Sequence, residues 1–375
     1  MLILNGEVYS GTFSFERKNI RIEDGIFKVL TESPLLPESG EEVFDASGMR
    51  IIPGLTDIHF HGCNGSDLCD GSFEALHNIA GYEKRCGIFN ICPATMTLKK
   101  DRLKEICSVS AQYRKAQGGR SDEARLIGIH LEGPFISKKK PGAQSESHII
   151  RAEEGIIEEL LAASNGLIKL ITIAPEEEGA LSCIEKYRDR VHFSVGHTAA
   201  SYDEAAEAFD KGADHVTHLF NAMPPLLHRE PGVIGAAFER EGVFAELICD
   251  GVHVHPAAIR AAFKLFTAKR IVLISDSMRA CGMPDGEYEL GGIPVIKQGR
   301  KAVQRDGTLA GSVTNLYDCM TEAVRAGVSA EDAIRAAAYN PLVSIGAEAE
   351  YGFIMEGFKA QALIVDEDWR IKRII

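Results

Sequence analysis

Apolar and polar positions follow one style at both ends of this chain and another between them. Over the first fifty residues short runs, Leu2 to Asn5, Asn19 to Gly25 and Ile26 to Leu30, are divided by turn residues and predict an all-β start. The last twenty-five residues return to that style, with strands expected over Gly352 to Met355, Ala362 to Asp366 and Trp369 to Ile375 around Gly357. Neither end is large enough to hold a core alone. The two are therefore expected to meet in one small β-sandwich, residues 1–51 with 347–375.

Between them, apolar runs alternate with amphipathic stretches, the pattern of repeated β-α units and a parallel sheet. Eight strands are predicted: Ile51 to His59, Ile88 to Ala94, Leu126 to Glu132, Ile168 to Ala174, Val191 to His197, His215 to Asn221, Val243 to Asp250 and Ile271 to Asp276. A helix is predicted from Tyr202 to Lys211, where Ser201 can cap and Glu204 stands three residues on. Eight such units are what a closed (β/α)8 barrel of the TIM type needs, so the fold class is α/β with a barrel over residues 52–346. After the eighth strand, Asp-Gly and Gly-Gly turns between alternating residues from 285 to 308 predict an inserted β-hairpin, where active-site covers are usually found.

Composition narrows the partners. With 45% hydrophobic and 25% charged residues over 375 positions, the chain can bury a large core. Its formal net charge of −13 disfavours nucleic acid and anionic membrane surfaces. The start lacks the plan of a signal peptide and no apolar run is long enough to span a bilayer, so a cytoplasmic protein is expected. Nine cysteines without a Cys-x-x-Cys pair fit reduced thiols.

Chemistry collects where the strands end. His59 and His61 stand at i and i+2, so strand alternation aims both to one side, where they form either a metal-binding pair or two ordinary polar residues. Glu132 closes an apolar strand, a costly burial unless the carboxylate meets a cation or serves as a cap or ion-pair partner. His197 and His218 end consecutive strands and make a good metal site. His130 is expected to be an interior, hydrogen-bonded histidine, and His215, three residues before His218, to point to the other face. Asp276 beside a metal can move a proton, or it is a structural carboxylate. His253 is the better candidate for touching substrate, with His255 as a cap before Pro256. Arg229, in the loop Pro224 to Gly232, can grip a phosphate or pair with Glu230.

Taken together, Pro53 to Gly62, His130-Leu-Glu-Gly-Pro-Phe135, Gly196-His197-Thr, His218-Leu-Phe-Asn-Ala-Met223, His228-Arg-Glu-Pro-Gly232, Asp250-Gly-Val-His253 and Ser275-Asp276 resemble the amidohydrolase superfamily, and within it the deacetylases of phosphorylated N-acetyl amino sugars. The resemblance implies hydrolysis of the acetamide of N-acetylglucosamine 6-phosphate to glucosamine 6-phosphate and acetate, in amino-sugar breakdown or cell-wall recycling. N-acetylgalactosamine 6-phosphate or a cyclic amide is the alternative substrate, and a non-catalytic scaffold the alternative to an enzyme. It implies Glu132, His197 and His218 as ligands of the principal metal, Asp276 as general base and acid, and His253 as the group polarising the acetyl carbonyl. Asn221, the Ala222 backbone and Arg229 would bind the sugar phosphate, with Arg229 reaching across the interface of a homodimer. Members with both first-strand histidines can bind a second ion, and His59 and His61 are both present. One or two divalent ions are expected, zinc first, with iron, manganese or cobalt as alternatives. Gln144 stands where many relatives have His, which puts a sugar contact there in question.

Overall fold

The computed structural model describes residues 1–347 and 351–375. Strands from both ends join in a single hydrogen-bonded sheet. Leu2–Tyr9 pairs antiparallel with Phe15–Glu23, which pairs with Ile26–Thr31. On its other edge Leu2–Tyr9 runs parallel to Arg50–Pro53, and that strand pairs antiparallel with Ala362–Val365, itself paired with Ile371–Ile374. Ile3, Val8, Ile20, Phe27, Ile51, Ile354 and Ile364 form its own buried cluster. The chain ends thus depend on one another: removing either strips apolar cover from the other.

Two strand expectations need correction. The run Ile51 to His59 is not one strand but two, Arg50–Pro53 in the terminal sheet and Leu55–Asp57 in the parallel system. The break falls at Gly54, where a Cβ would lie 2.3 Å from the Phe89 ring, so only glycine lets the backbone pass there. Gly352 to Met355 is not a strand; Ile354 makes an isolated bridge with Ser10. Residues 348–350 of the expected C-terminal segment lie outside the described residues.

The middle of the chain is mixed α/β with eight parallel strand positions in sequence order. They are β1 (Leu55–Asp57), β2 (Ile88–Ile91, continued by Ala94–Thr95), β3 (Arg125–Leu126, continued by Ile129–Glu132), β4 (Ile168–Ile173), β5 (His192–Val195), β6 (His215–Val216), β7 (Phe244–Ile248) and β8 (Ile271–Ile274). Each pairs in parallel with the next. Helices join them, among them α1 (Phe73–Arg85), α2 (Lys100–Gln117) and α3 (Glu154–Ser164). Most strand positions are buried, which is why these segments read as continuous apolar runs rather than as alternating ones. The helix at Tyr202–Lys211 carries the expected capping box, with Ser201 and Glu204 each accepting the other's backbone N–H.

Beyond β8 the chain returns to β1. Asp276 N donates to His59 O at 2.9 Å and His61 N to Ser277 O at 2.7 Å, so the last strand end lies against the first. The expected hairpin is a three-stranded antiparallel sheet, Gly286–Leu290, Ile293–Gln298 and Lys301–Gln304. Its Leu290, Val295 and Ala302 pack on Met96 and Met278, which holds it over the carboxyl ends of the strands. No helix among the described residues is long and apolar enough to cross a membrane.

Candidate active site

The residues at the carboxyl ends of β1, β3, β5, β6 and β8 converge on Glu132, the last residue of β3. Its Oε1 lies 3.1 Å from His197 Nε2, 3.0 Å from His218 Nε2 and 3.2 Å from His59 Nε2. Its Oε2 lies 3.2 Å from His61 Nε2 and accepts from Gln144 Nε2 at 2.5 Å. The two imidazole nitrogens of His197 and His218 are 3.0 Å apart. Asp276 Oδ1 completes a neighbouring group, 3.3 Å from His61 Nε2 and 3.8 Å from His59 Nε2. Glu132 stands between the two groups, its Oε1 facing His197, His218 and His59 and its Oε2 facing His61.

The outer nitrogens decide what the inner ones offer. His197 Nδ1 faces Lys140 O at 3.1 Å and His61 Nδ1 faces Ala94 O at 3.3 Å, and a carbonyl oxygen can only accept. His59 Nδ1 lies 2.8 Å from Glu246 Oε2. In each neutral ring the hydrogen therefore sits on Nδ1, and the Nε2 lone pair points at the carboxylates of Glu132 and Asp276. Converging lone pairs in a buried place repel unless a cation lies among them. Imidazole nitrogens and carboxylate oxygens are the donor set of a divalent transition metal, and two sets, Glu132 with His197 and His218, and His59 with His61 and Asp276, can each hold one.

The backbone bends to make this possible. His197, His218, Phe220, Ala222 and Asp276 all adopt positive φ, between 29° and 80°, a region costly for residues with a Cβ. Three of them carry the cluster's own side chains, so the strain lies where the chain turns each group off its strand end.

Burial alone would raise the carboxylate pKa values here. Where the rings instead carry a second proton, their charge does the work of a cation: charged His59 and His197 hold Glu132 well below the usual carboxylate range, and a hydrogen bond from protonated His61 with the charge of His59 lowers Asp276. His253 Nδ1 lies 2.7 Å from Asp250 Oδ2, and its Nε2 donates to Ala310 O at 3.0 Å. Burial disfavours its charge, but Asp250 outweighs burial and raises its pKa above the ordinary histidine value.

A cavity of 270 Å³ opens onto this constellation. His61, Glu132, His197, His218, His253 and Asp276 line it, together with Asn221 and Ala222 and with Leu290 and Thr308 to Gly311 from the excursion after β8. Asn221 Nδ2 donates to His218 O and Leu219 O. Arg229 is exposed on its loop and lies outside the cavity's lining.

The remaining sequence-predicted histidines fall elsewhere. His130 is interior and bonds Thr172 Oγ1 at 2.8 Å. His215 and His192 both pair with Asp214, and His255 caps the helix that begins at Pro256. His215 is kept apart from His218 by more than strand parity: β6 ends at Val216, so His218 sits in a turn and not on a strand. Sequence reasoning missed Glu246, the contact of Gln144 with Glu132, and the carbonyls of Ala94, Lys140 and Ala310. Of these only Glu246 left a signal, a lone charge inside the apolar strand Phe244–Ile248.

With this geometry, comparison with known proteins places the molecule. The model of the amidohydrolase family matches residues 50–374, and the chain belongs to that family. Within it the chain is similar to the N-acetylglucosamine-6-phosphate deacetylase of Bacillus subtilis, 36% identical over 94% of this chain and 89% of that protein. It is 32% identical to the N-acetylgalactosamine-6-phosphate deacetylase of Escherichia coli O157:H7 over 95% of this chain and 92% of that one. Among solved structures, a variant of the N-acetyl-D-glucosamine-6-phosphate deacetylase from Mycobacterium smegmatis, in complex with N-acetyl-D-glucosamine-6-phosphate, superposes with a TM-score of 0.92 at 30% identity. That superposition covers 100% of this chain and 97% of that one.

Proposed function

We propose that this protein hydrolyses the acetamide bond of N-acetylglucosamine 6-phosphate, releasing acetate and glucosamine 6-phosphate. The observation that carries the reading is the convergence of Glu132, His197 and His218 beside Asp276 and His253 in one cavity. The similarity to deacetylases of this sugar phosphate over nearly the whole chain supports it.

In this reading the eight parallel strands close into a (β/α)8 barrel, residues 52–346, and the terminal strands form a small β-sandwich domain, 1–51 with 347–375. Glu132, His197 and His218 hold the principal ion, zinc first, and His59 and His61 with Asp276 hold a second. A divalent ion so held lowers the pKa of water toward about 7 and polarises a carbonyl oxygen. Asp276 takes the proton of the attacking water and returns it to the departing amine nitrogen, because an amine leaves poorly as an anion. His253 shares the Nε2 hydrogen that Ala310 O accepts with the acetyl oxygen, stabilising the charge that develops there. Asp250 keeps that ring charged and correctly turned.

Asn221 and the Ala222 backbone meet the sugar phosphate. Arg229, exposed and outside its own chain's cavity, serves the partner's site in a homodimer. The protein works in the cytoplasm, on a small phosphorylated sugar, without nucleic acid or membrane.

A second reading, the galactosamine epimer as substrate, is favoured by the Escherichia coli relative. Acetate release is measured for both phosphorylated sugars and for free N-acetylglucosamine, before and after chelation. Preference for the glucosamine epimer, loss on chelation and recovery on adding zinc are expected. Full activity after complete metal removal would sink the proposal. Arg229→Ala should slow the phosphorylated sugar about 10- to 100-fold and leave the free sugar unchanged, the loss of one charge-assisted contact.

A further inference from the structure

Glu246 lies inside β7, in the middle of Phe244–Ile248, and is fully buried. A buried carboxylate is expensive unless it is paired. Its Oε2 accepts from His59 Nδ1 at 2.8 Å and from the His218 backbone N–H at 3.3 Å. Its Oε1 has no hydrogen-bond partner and lies 4.0 Å from His130 Nδ1, which also has none. The His130 ring packs edge-on against His59, with centroids 4.4 Å apart, and is itself tied by Nε2 to Thr172. The His59 imidazole is thus gripped by a carboxylate at its outer nitrogen and by a fixed ring at its side, with its inner nitrogen facing Glu132 and Asp276.

We propose that Glu246 is a positioning residue that fixes the tautomer and orientation of His59 and thereby makes the His59, His61 and Asp276 group able to hold a second ion. The inference rests on the reading of the two groups as ion-holding. His61 and His197 have only backbone carbonyls behind them, whereas His59 alone in the cluster has a full negative charge behind it. With its hydrogen donated to Glu246, His59 must offer a lone pair at Nε2. Moved to Nε2, the hydrogen would leave an imidazole lone pair 2.8 Å from a carboxylate oxygen, a repulsive contact in a dry place. The carboxylate also adds a negative charge beside a group that must hold a dication, and carboxylate partners of ligating histidines strengthen metal binding in this manner.

The test is metal binding to the whole protein, read without reference to turnover. Metal-stripped protein is titrated with zinc against a chromogenic chelator. Wild type should take up two equivalents. Glu246→Ala should weaken the second equivalent about 10- to 100-fold, the usual cost of losing such a partner, and leave the first unchanged. Glu246→Gln, which retains an acceptor for Nδ1–H without the charge, should lie between. His59→Ala should lose the second equivalent, and adding Glu246→Ala to it should cost nothing further. Equal weakening of both equivalents would make Glu246 a general structural residue and overturn the proposal, as would a single equivalent in wild type. Wild type that takes up no zinc would instead refute the reading of the site itself. Nitrogen-15 NMR of histidine-labelled wild type gives an answer even where a variant fails to fold. His59 should carry its hydrogen on Nδ1, and a hydrogen on Nε2 alone would overturn the inference.

Discussion

Two glutamates, equally hidden from solvent, live in opposite electrostatic worlds. Glu132, at the end of β3, meets four imidazole rings and the Gln144 amide, and is held well below the usual carboxylate range. Glu83, on the inner side of α1, has no hydrogen-bond partner on either oxygen, and burial with the nearby charge of Asp57 pushes its pKa up to about 8. Burial is the same in both places; company is not. At the carboxyl ends of parallel strands, side chains from five strands can reach one point. Between a helix and the outside of a sheet, a side chain meets only what its two elements provide, here mostly thiols and apolar groups.

The largest test of that contrast is to remove the charge of Glu132. Glu132→Gln should lower kcat/KM by about 1,000-fold or more, about 4 kcal/mol of transition-state stabilisation, with metal content falling in parallel. Acetate release and metal analysis on the same sample check this, and retained activity would erase the distinction between the two glutamates. Asp276→Asn should come next, lowering kcat about 100- to 10,000-fold while the Glu132, His197 and His218 group keeps its metal. A variant that loses activity only because the Glu132, His197 and His218 group loses its metal would remove the proton-carrying role of Asp276.

Glu83→Gln should leave turnover unchanged and alter stability alone. The folded protein keeps a proton on Glu83 up to about 8, whereas the unfolded chain releases it near the ordinary value of 4.5. This raised pKa gives a contribution fully present below 4.5 and lost as pH rises through about 8, so wild type weakens over that range. The variant lacks the loss. Its Tm advantage should grow between pH 5 and 8 and level off above, with an upper bound on the order of 5 kcal/mol, which is several degrees in a chain of this size. A Tm difference independent of pH would show that Glu83 is not the group that titrates.

The strands and their spacing were legible because burial on both faces writes itself as apolar runs, and Glu132, His197, His218 and Asp276 stood out as polar residues ending such runs. The break at Gly54 had a local sign, the Pro53-Gly54 pair inside the apolar run, but not its meaning; that it divides two sheets depends on the Phe89 ring across the gap. Glu246 was a visible anomaly without a visible purpose. Its partner, His59, lies 187 positions away.

The sequence by itself determined the kinds of element, their order and the residue types available at each strand end, because periodicity and donor chemistry are local properties. Only the tertiary structure decided which lone pairs face inward, since that depends on the carbonyls of Ala94 and Lys140 and the carboxylate of Glu246 behind the rings. It also decided which buried acid keeps its proton, because a charge is settled by neighbours in space that the chain brings together from distant positions.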